Sequence, residues 1–119
     1  MVEGFTELLI IPGKKAALEE LCASLSGPKH AEFTESCKRH GITKERWFLV
    51  SGPGGDRCAL YREAEDPAGS GKSFMTSKHP FDVWLLERIK ECVDLDSNDP
   101  QIANPSRLIR SSRVLRVGD

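Results

Sequence analysis

The 119-residue chain sets 17 lysines and arginines against 18 aspartates and glutamates, a formal net charge of −1, with 39% hydrophobic and 29% charged residues. This length makes one domain with one core, and the near-neutral balance excludes a generic nucleic-acid or membrane-surface binder, which would be strongly basic. No apolar run approaches the ~20 residues that cross a bilayer. The opening MVEGFTELLIIPGKK is acidic near its start and does not read as a signal peptide, so a cytoplasmic protein is expected.

In chain order, Phe5 to Ile11 reads as a strand closed by Pro12-Gly13. A helical pattern follows from Lys14, with Leu18, Leu21, Cys22 and Leu25 at helical spacing. Ser26-Gly27-Pro28 interrupts it, because proline lacks an amide hydrogen and clashes with the preceding turn. The restarted segment carries Phe33 and Cys37 on its apolar stripe, and Gly41 suits the position just past a helix end. Trp47 to Val50 and Cys58 to Ala64 form a hairpin whose SGPGGD connection reads as a loop longer than two residues. Glu65 to Gly71 reads as a flexible connection. A second helix starts at Pro80, since the first helical position has no partner for an amide hydrogen, and it buries Phe81, Trp84, Leu85, Ile89 and Cys92. Residues 94–106 read as loop, and 107–117 as a final, arginine-interrupted edge strand.

The resulting β-α-β-β-α-β order over a single domain, residues 1–119, predicts a ferredoxin-like α+β fold: a four-stranded antiparallel sheet with both helices on one face. Phe5, Leu9, Leu49 and Tyr61 would then lie on an open apolar sheet face, which predicts a homodimer formed through it. Cys22, Cys37, Cys58 and Cys92 form no CxxC pair, which argues against a zinc site or disulfide framework. Most of these thiols should be buried as small hydrophobes, and no cofactor is expected.

The EL-I-PGK pattern near residues 7–14, the EAED run from Glu63 to Asp66 and the S-x-HP-x-D pattern from Ser77 to Asp82 resemble an uncharacterised family of small proteins in the dimeric α+β-barrel superfamily. The resemblance covers roughly residues 3–95 and implies two ferredoxin-like subunits that pack their sheets into a barrel, with a pocket between sheet and helices. Relatives in that superfamily include cofactor-free monooxygenases, haem-degrading enzymes, polyketide cyclases and stress-responsive proteins, so fold does not fix chemistry. The cyclases carry a catalytic histidine at the last position of an HP-x-H segment. Here Asp82 stands at that position, and Thr76 stands where a tyrosine precedes the motif, which argues against cyclase chemistry.

Several constellations are candidate sites. The Ala68 to Ser73 stretch, AGSGKS, ends like a phosphate-binding loop, but Asp66 replaces the required first glycine, so a connecting loop is expected. His79 at a helix N-cap, with Asp82 in the first turn, could serve as a general base oriented by that carboxylate, the helix end favouring a neutral imidazole; capping and packing is the plainer reading. Glu7 in an apolar strand needs a partner, and Arg62 is the expected one. Trp47, Tyr61 and Trp84 either line an aromatic ligand pocket or belong to the core. His30 and His40 read as surface helix residues. Arg107, Arg110, Arg113 and Arg116 read as protection of an edge strand rather than a nucleic-acid contact.

Two functions follow. The first is a homodimer that binds a small, mostly apolar molecule, with cofactor-independent monooxygenase- or isomerase-type chemistry open to it. In that case His79 and Asp82 supply the acid–base pair, and Glu7, Trp47, Tyr61, Arg62 and Trp84 line the pocket. The alternative is a non-catalytic dimeric interaction module with a side-chain-filled barrel. Haem handling is a third, weaker option.

Overall fold

A computed structural model describes residues 2–95 and the strand at 112–115. The first strand, β1 (Val2–Ile10), leads through Pro12 and Gly13 (φ +86°) into helix α1 (Lys15–Ser26). The chain breaks at Gly27 and Pro28 and resumes as α2 (His30–Arg39), followed by Gly41 at φ +71°, a conformation glycine adopts without strain. β2 (Ile42–Gly52) and β3 (Gly55–Ala64) make the hairpin. Helices α3 (Pro67–Met75) and α4 (Pro80–Cys92) follow, then β4 (Val93–Asp94) and β5 (Ser112–Leu115).

The fold is α+β, with one antiparallel sheet in the order β4-β1-β3-β2-β5. Strand alternation divides its side chains between two faces. Leu8, Ile10, Trp47, Leu49, Cys58 and Leu60 join Leu18, Leu21, Leu25, Phe33, Phe81 and Leu85 from the helices in the main core. On the opposite face Val50 and Ala59 form a second, smaller cluster with Phe5 and Phe48, and among the described residues no helix residue joins it. Leu49 therefore packs under the helices rather than beside Phe5 and Tyr61, one register position from the expected face.

Three sequence expectations need correction. The hairpin loop contracts to Pro53–Gly54, because Gly52 pairs with Gly55, whose φ of +109° only glycine adopts readily. The expected connection after Glu65 is instead α3. The Asp66 side chain accepts a hydrogen bond from the Gly69 amide at 3.1 Å, and Pro67 occupies the first helical position, so cap chemistry and packing override the weak helix propensity of two glycines. The segment assigned to loop from residue 94 begins with β4, whose two residues pair with Leu9 and Ile10, too short a run to show alternation. The remainder of the 94–106 loop lies outside the described residues, apart from a bend at Leu95. Of the final strand expected at 107–117, Ser112–Leu115 is described, and it holds the edge beside β2, with Arg113 opposite Leu49. Arg107, Arg110 and Arg116 lie outside the described residues.

α3 reaches the sheet through glycine. A Cβ on Gly4 would stand 2.9 Å from the Cβ of Pro67, a distance real structures avoid, so β1 and α3 approach this closely only because residue 4 has no side chain. Gly4→Ala should displace α3 and destabilise the protein by about 1–3 kcal/mol, the usual range for overpacking. Urea denaturation measures it, and an unchanged midpoint would show that the contact is slack.

Candidate functional site

Two buried carboxylates organise the space between sheet and helices. Glu45 stands directly across the hairpin from Arg62. Its Oε1 accepts hydrogen bonds from Arg62 Nη2 at 2.6 Å and Nε at 2.7 Å, and its Oε2 accepts one from Trp47 Nε1 at 3.0 Å. The carboxylate is 5% exposed. A buried charge needs such a set of donors, since desolvation would otherwise expel it or protonate it. The guanidinium extends toward α3, where a Cβ on Gly71 would stand 3.1 Å from Arg62 Nη1, so the small residue leaves it room.

Asp82, in the first turn of α4, is fully buried. Its Oδ1 accepts from Ser36 Oγ at 2.5 Å and Arg39 Nη2 at 2.8 Å, and its Oδ2 from Ser77 Oγ at 2.6 Å, with His40 Nε2 at 2.8 Å. Burial alone would push this carboxyl's pKa up. The hydrogen bonds from Arg39, Ser36, Ser77 and His40 together outweigh that and hold it well below the ordinary carboxylate range. Asp82 thus stays ionised and joins the end of α2 to the start of α4. His40 in turn bonds Ser73 Oγ of α3 through Nδ1 at 2.7 Å, and its ring meets Phe74 edge-on at 5.8 Å.

Between these groups lies a cavity of about 600 Å³. Leu8, Phe33, Trp47, Leu60, Phe74, Leu85 and Ile89 contribute to its walls, and Ser36, Cys37, His40, Glu45 and Arg62 are among its polar lining residues. The Cys37 thiol is pushed up to about 12 by burial and by Glu45, with Arg62 opposing, so it stays protonated at neutral pH and is a poor nucleophile.

The predicted site residues divide between three places. Trp47 and Arg62 line the cavity. Tyr61 lies on the opposite sheet face, stacked obliquely on Phe5 at 5.2 Å, and its hydroxyl donates to Glu63, which with burial raises the phenol's pKa. Glu7 also occupies that opposite face and pairs with Arg57 at 3.1 Å, not with Arg62. The reason is alternation: Glu7 and Arg57 project from one face, Arg62 from the other. Trp84 packs on Phe81 beneath the Lys29 ammonium, 4.8 Å from its ring centre, away from the cavity.

His79 caps α4 as expected, its Nδ1 accepting from the Phe81 amide at 3.2 Å, but it is exposed and does not line the cavity. Asp82 orients His40 rather than His79, since the first turn of α4 carries its side chain inward toward α2. His40, read as a surface residue, has a side chain only 6% exposed. No local spacing links residues 40, 73 and 82, so only the packing of three helices reveals their association. Glu45 was detectable by counting outward from the hairpin turn, had the turn length been known.

Residues 5–109 match a family described as being of unknown function, DUF6176. The chain belongs to that family. No curated protein and no solved structure matches it. Among the described residues of this DUF6176 member, no helix is long and apolar enough to cross a membrane, and no cluster of three or more histidine, cysteine, aspartate or glutamate side chains could hold a metal ion.

Proposed function

We propose that this protein binds a small, mostly apolar molecule in the cavity between its sheet and helices. The observation that carries this reading is the cavity itself: about 600 Å³, walled largely by aliphatic and aromatic side chains, with the Glu45–Arg62 pair in its lining. Small-molecule sites typically span ~300–1,000 Å³ with few, convergent polar groups. Glu45 neutralises Arg62, so the favoured ligand is uncharged, with one hydroxyl or carbonyl to meet the polar side chains of the lining. An open interior of this size also weighs against a non-catalytic module filled by side chains.

Leu60 faces the cavity from β3. Nile red should bind the native protein with a blue-shifted emission, and 2-naphthol should compete with it. Leu60→Trp, which fills the space, should weaken both by at least tenfold, about 1.4 kcal/mol. Equal binding by the variant would place the dye elsewhere and remove the basis of the reading.

The ferredoxin-like homodimer belongs to the same proposal. The order β4-β1-β3-β2 within the sheet supports it. So does the second apolar cluster of Val50, Ala59, Phe5 and Phe48 on the face without helices. Sedimentation equilibrium reads the mass directly, and a monomer at micromolar concentration counts against this part alone, because the cavity is lined within one subunit.

A further inference from the structure

Ser73, His40 and Asp82 form a continuous hydrogen-bonded line from an exposed hydroxyl to a fully buried carboxylate. Asp82 accepts from Ser36, Arg39 and Ser77 and stays ionised, so it has only lone pairs to offer. His40 Nε2 must therefore carry a hydrogen toward Oδ2. In the neutral imidazole this leaves the Nδ1 lone pair facing the Ser73 hydroxyl. The Phe74 contact and near-complete burial hold the ring in that orientation. An exposed hydroxyl, a base within 2.7 Å and a buried carboxylate behind the base are the three parts of an activated serine. His79 offers no comparable arrangement, because its Nδ1 is taken by a backbone amide.

We propose that Ser73 is a nucleophile that accepts acyl groups from small carboxylic esters, with His40 as its general base and Asp82 as the positioning residue. Ser73 Oγ forms a bond to the ester carbonyl carbon while its proton passes to His40 Nδ1. The tetrahedral adduct then breaks its bond to the alkoxide, which takes that proton and leaves as the alcohol. Water attacks the acyl-serine, gives one proton to Nδ1 and releases the carboxylic acid as Ser73 Oγ recovers that proton. The sum is ester plus water giving acid plus alcohol, with no change of oxidation state. Ser73 is not among the residues that line the cavity, whereas His40 is, so the base borders the cavity while the hydroxyl it serves lies outside it.

The test uses the full chain with diisopropyl fluorophosphate, whose fluoride leaves as the serine oxygen bonds phosphorus, read by peptide mass mapping. Ser73 should label at least about 10²-fold faster than any other serine, the usual contribution of a positioned general base. The wild-type rate ratio between Ser73 and the exposed Ser51 decides the matter without a variant; a ratio near one overturns the proposal. His40→Gln should abolish the preference, and Ser73→Ala should remove the adduct while leaving the far-ultraviolet circular dichroism unchanged. Nitrogen-15 NMR should find the hydrogen on His40 Nε2 in the native protein and a changed tautomer balance in Asp82→Asn. A predominant Nδ1–H form in the native protein would also overturn the proposal.

Discussion

Asp82→Ala should be among the most damaging substitutions in this protein, lowering stability by about 3–5 kcal/mol, the range for removing one member of a buried charged network. Four donors from Ser36, Arg39, His40 and Ser77 converge on this carboxylate, and two of them, Ser36 and the His40 side chain, have little access to water once it is gone. The pH dependence has a definite sign. Asp82 titrates below its ordinary value near 3.8 when folded, so its stabilisation is complete well above that pH. It is lost progressively as pH falls below about 5 toward the folded value, where the unfolded chain binds a proton that the native one refuses. The slope from one such group reaches at most about 1.4 kcal/mol per pH unit. Urea unfolding of the native protein and Asp82→Asn between pH 7 and pH 2.5 should give curves that converge as the pH falls. Parallel curves would mean that the carboxylate does not carry the network.

Glu45→Ala should lower stability by about 3 kcal/mol, because it leaves the Arg62 guanidinium, only 17% exposed, and the Trp47 indole N–H without their acceptor. Replacing both charged partners removes the stranded charge together with its counter-ion. Glu45→Met combined with Arg62→Met should therefore recover most of the loss, giving a strongly non-additive cycle with the single variants. Additive losses would show that the two side chains do not depend on each other. The double variant also separates stability from recognition: the fold survives, and the cavity loses its charged pair.

The contrast between these two carboxylates explains how far the sequence could be read. Gly27-Pro28, Gly41 and Pro80 act locally through backbone geometry, and each lies at the helix boundary expected of it. Glycine-rich α3 was hidden because its helix is maintained by the Asp66 cap and by contact with β1 and β3, neither of which a propensity scale contains. Trp47 and Arg62 were singled out and do meet at the cavity, but Arg62 was matched to Glu7. That pairing failed because Glu7 and Arg62 project from opposite faces of the sheet, and the overlong loop separately concealed the register that sets Glu45 opposite Arg62. His40 belonged to no visible pattern. Its partners are 33 and 42 residues away, and only the docking of α2, α3 and α4 brings them together.

The position of β1 has a consequence for the order in which the sheet can assemble. β2 and β3 are joined by two residues and can pair as soon as both exist. β1 precedes them in the chain, yet its partners are residues 57–64 on one side and 93–94 on the other. During synthesis it therefore emerges with no native neighbour and must remain unpaired while the whole of α1, α2 and the hairpin is made. β1 is the earliest strand to be synthesised and cannot be the earliest to pair.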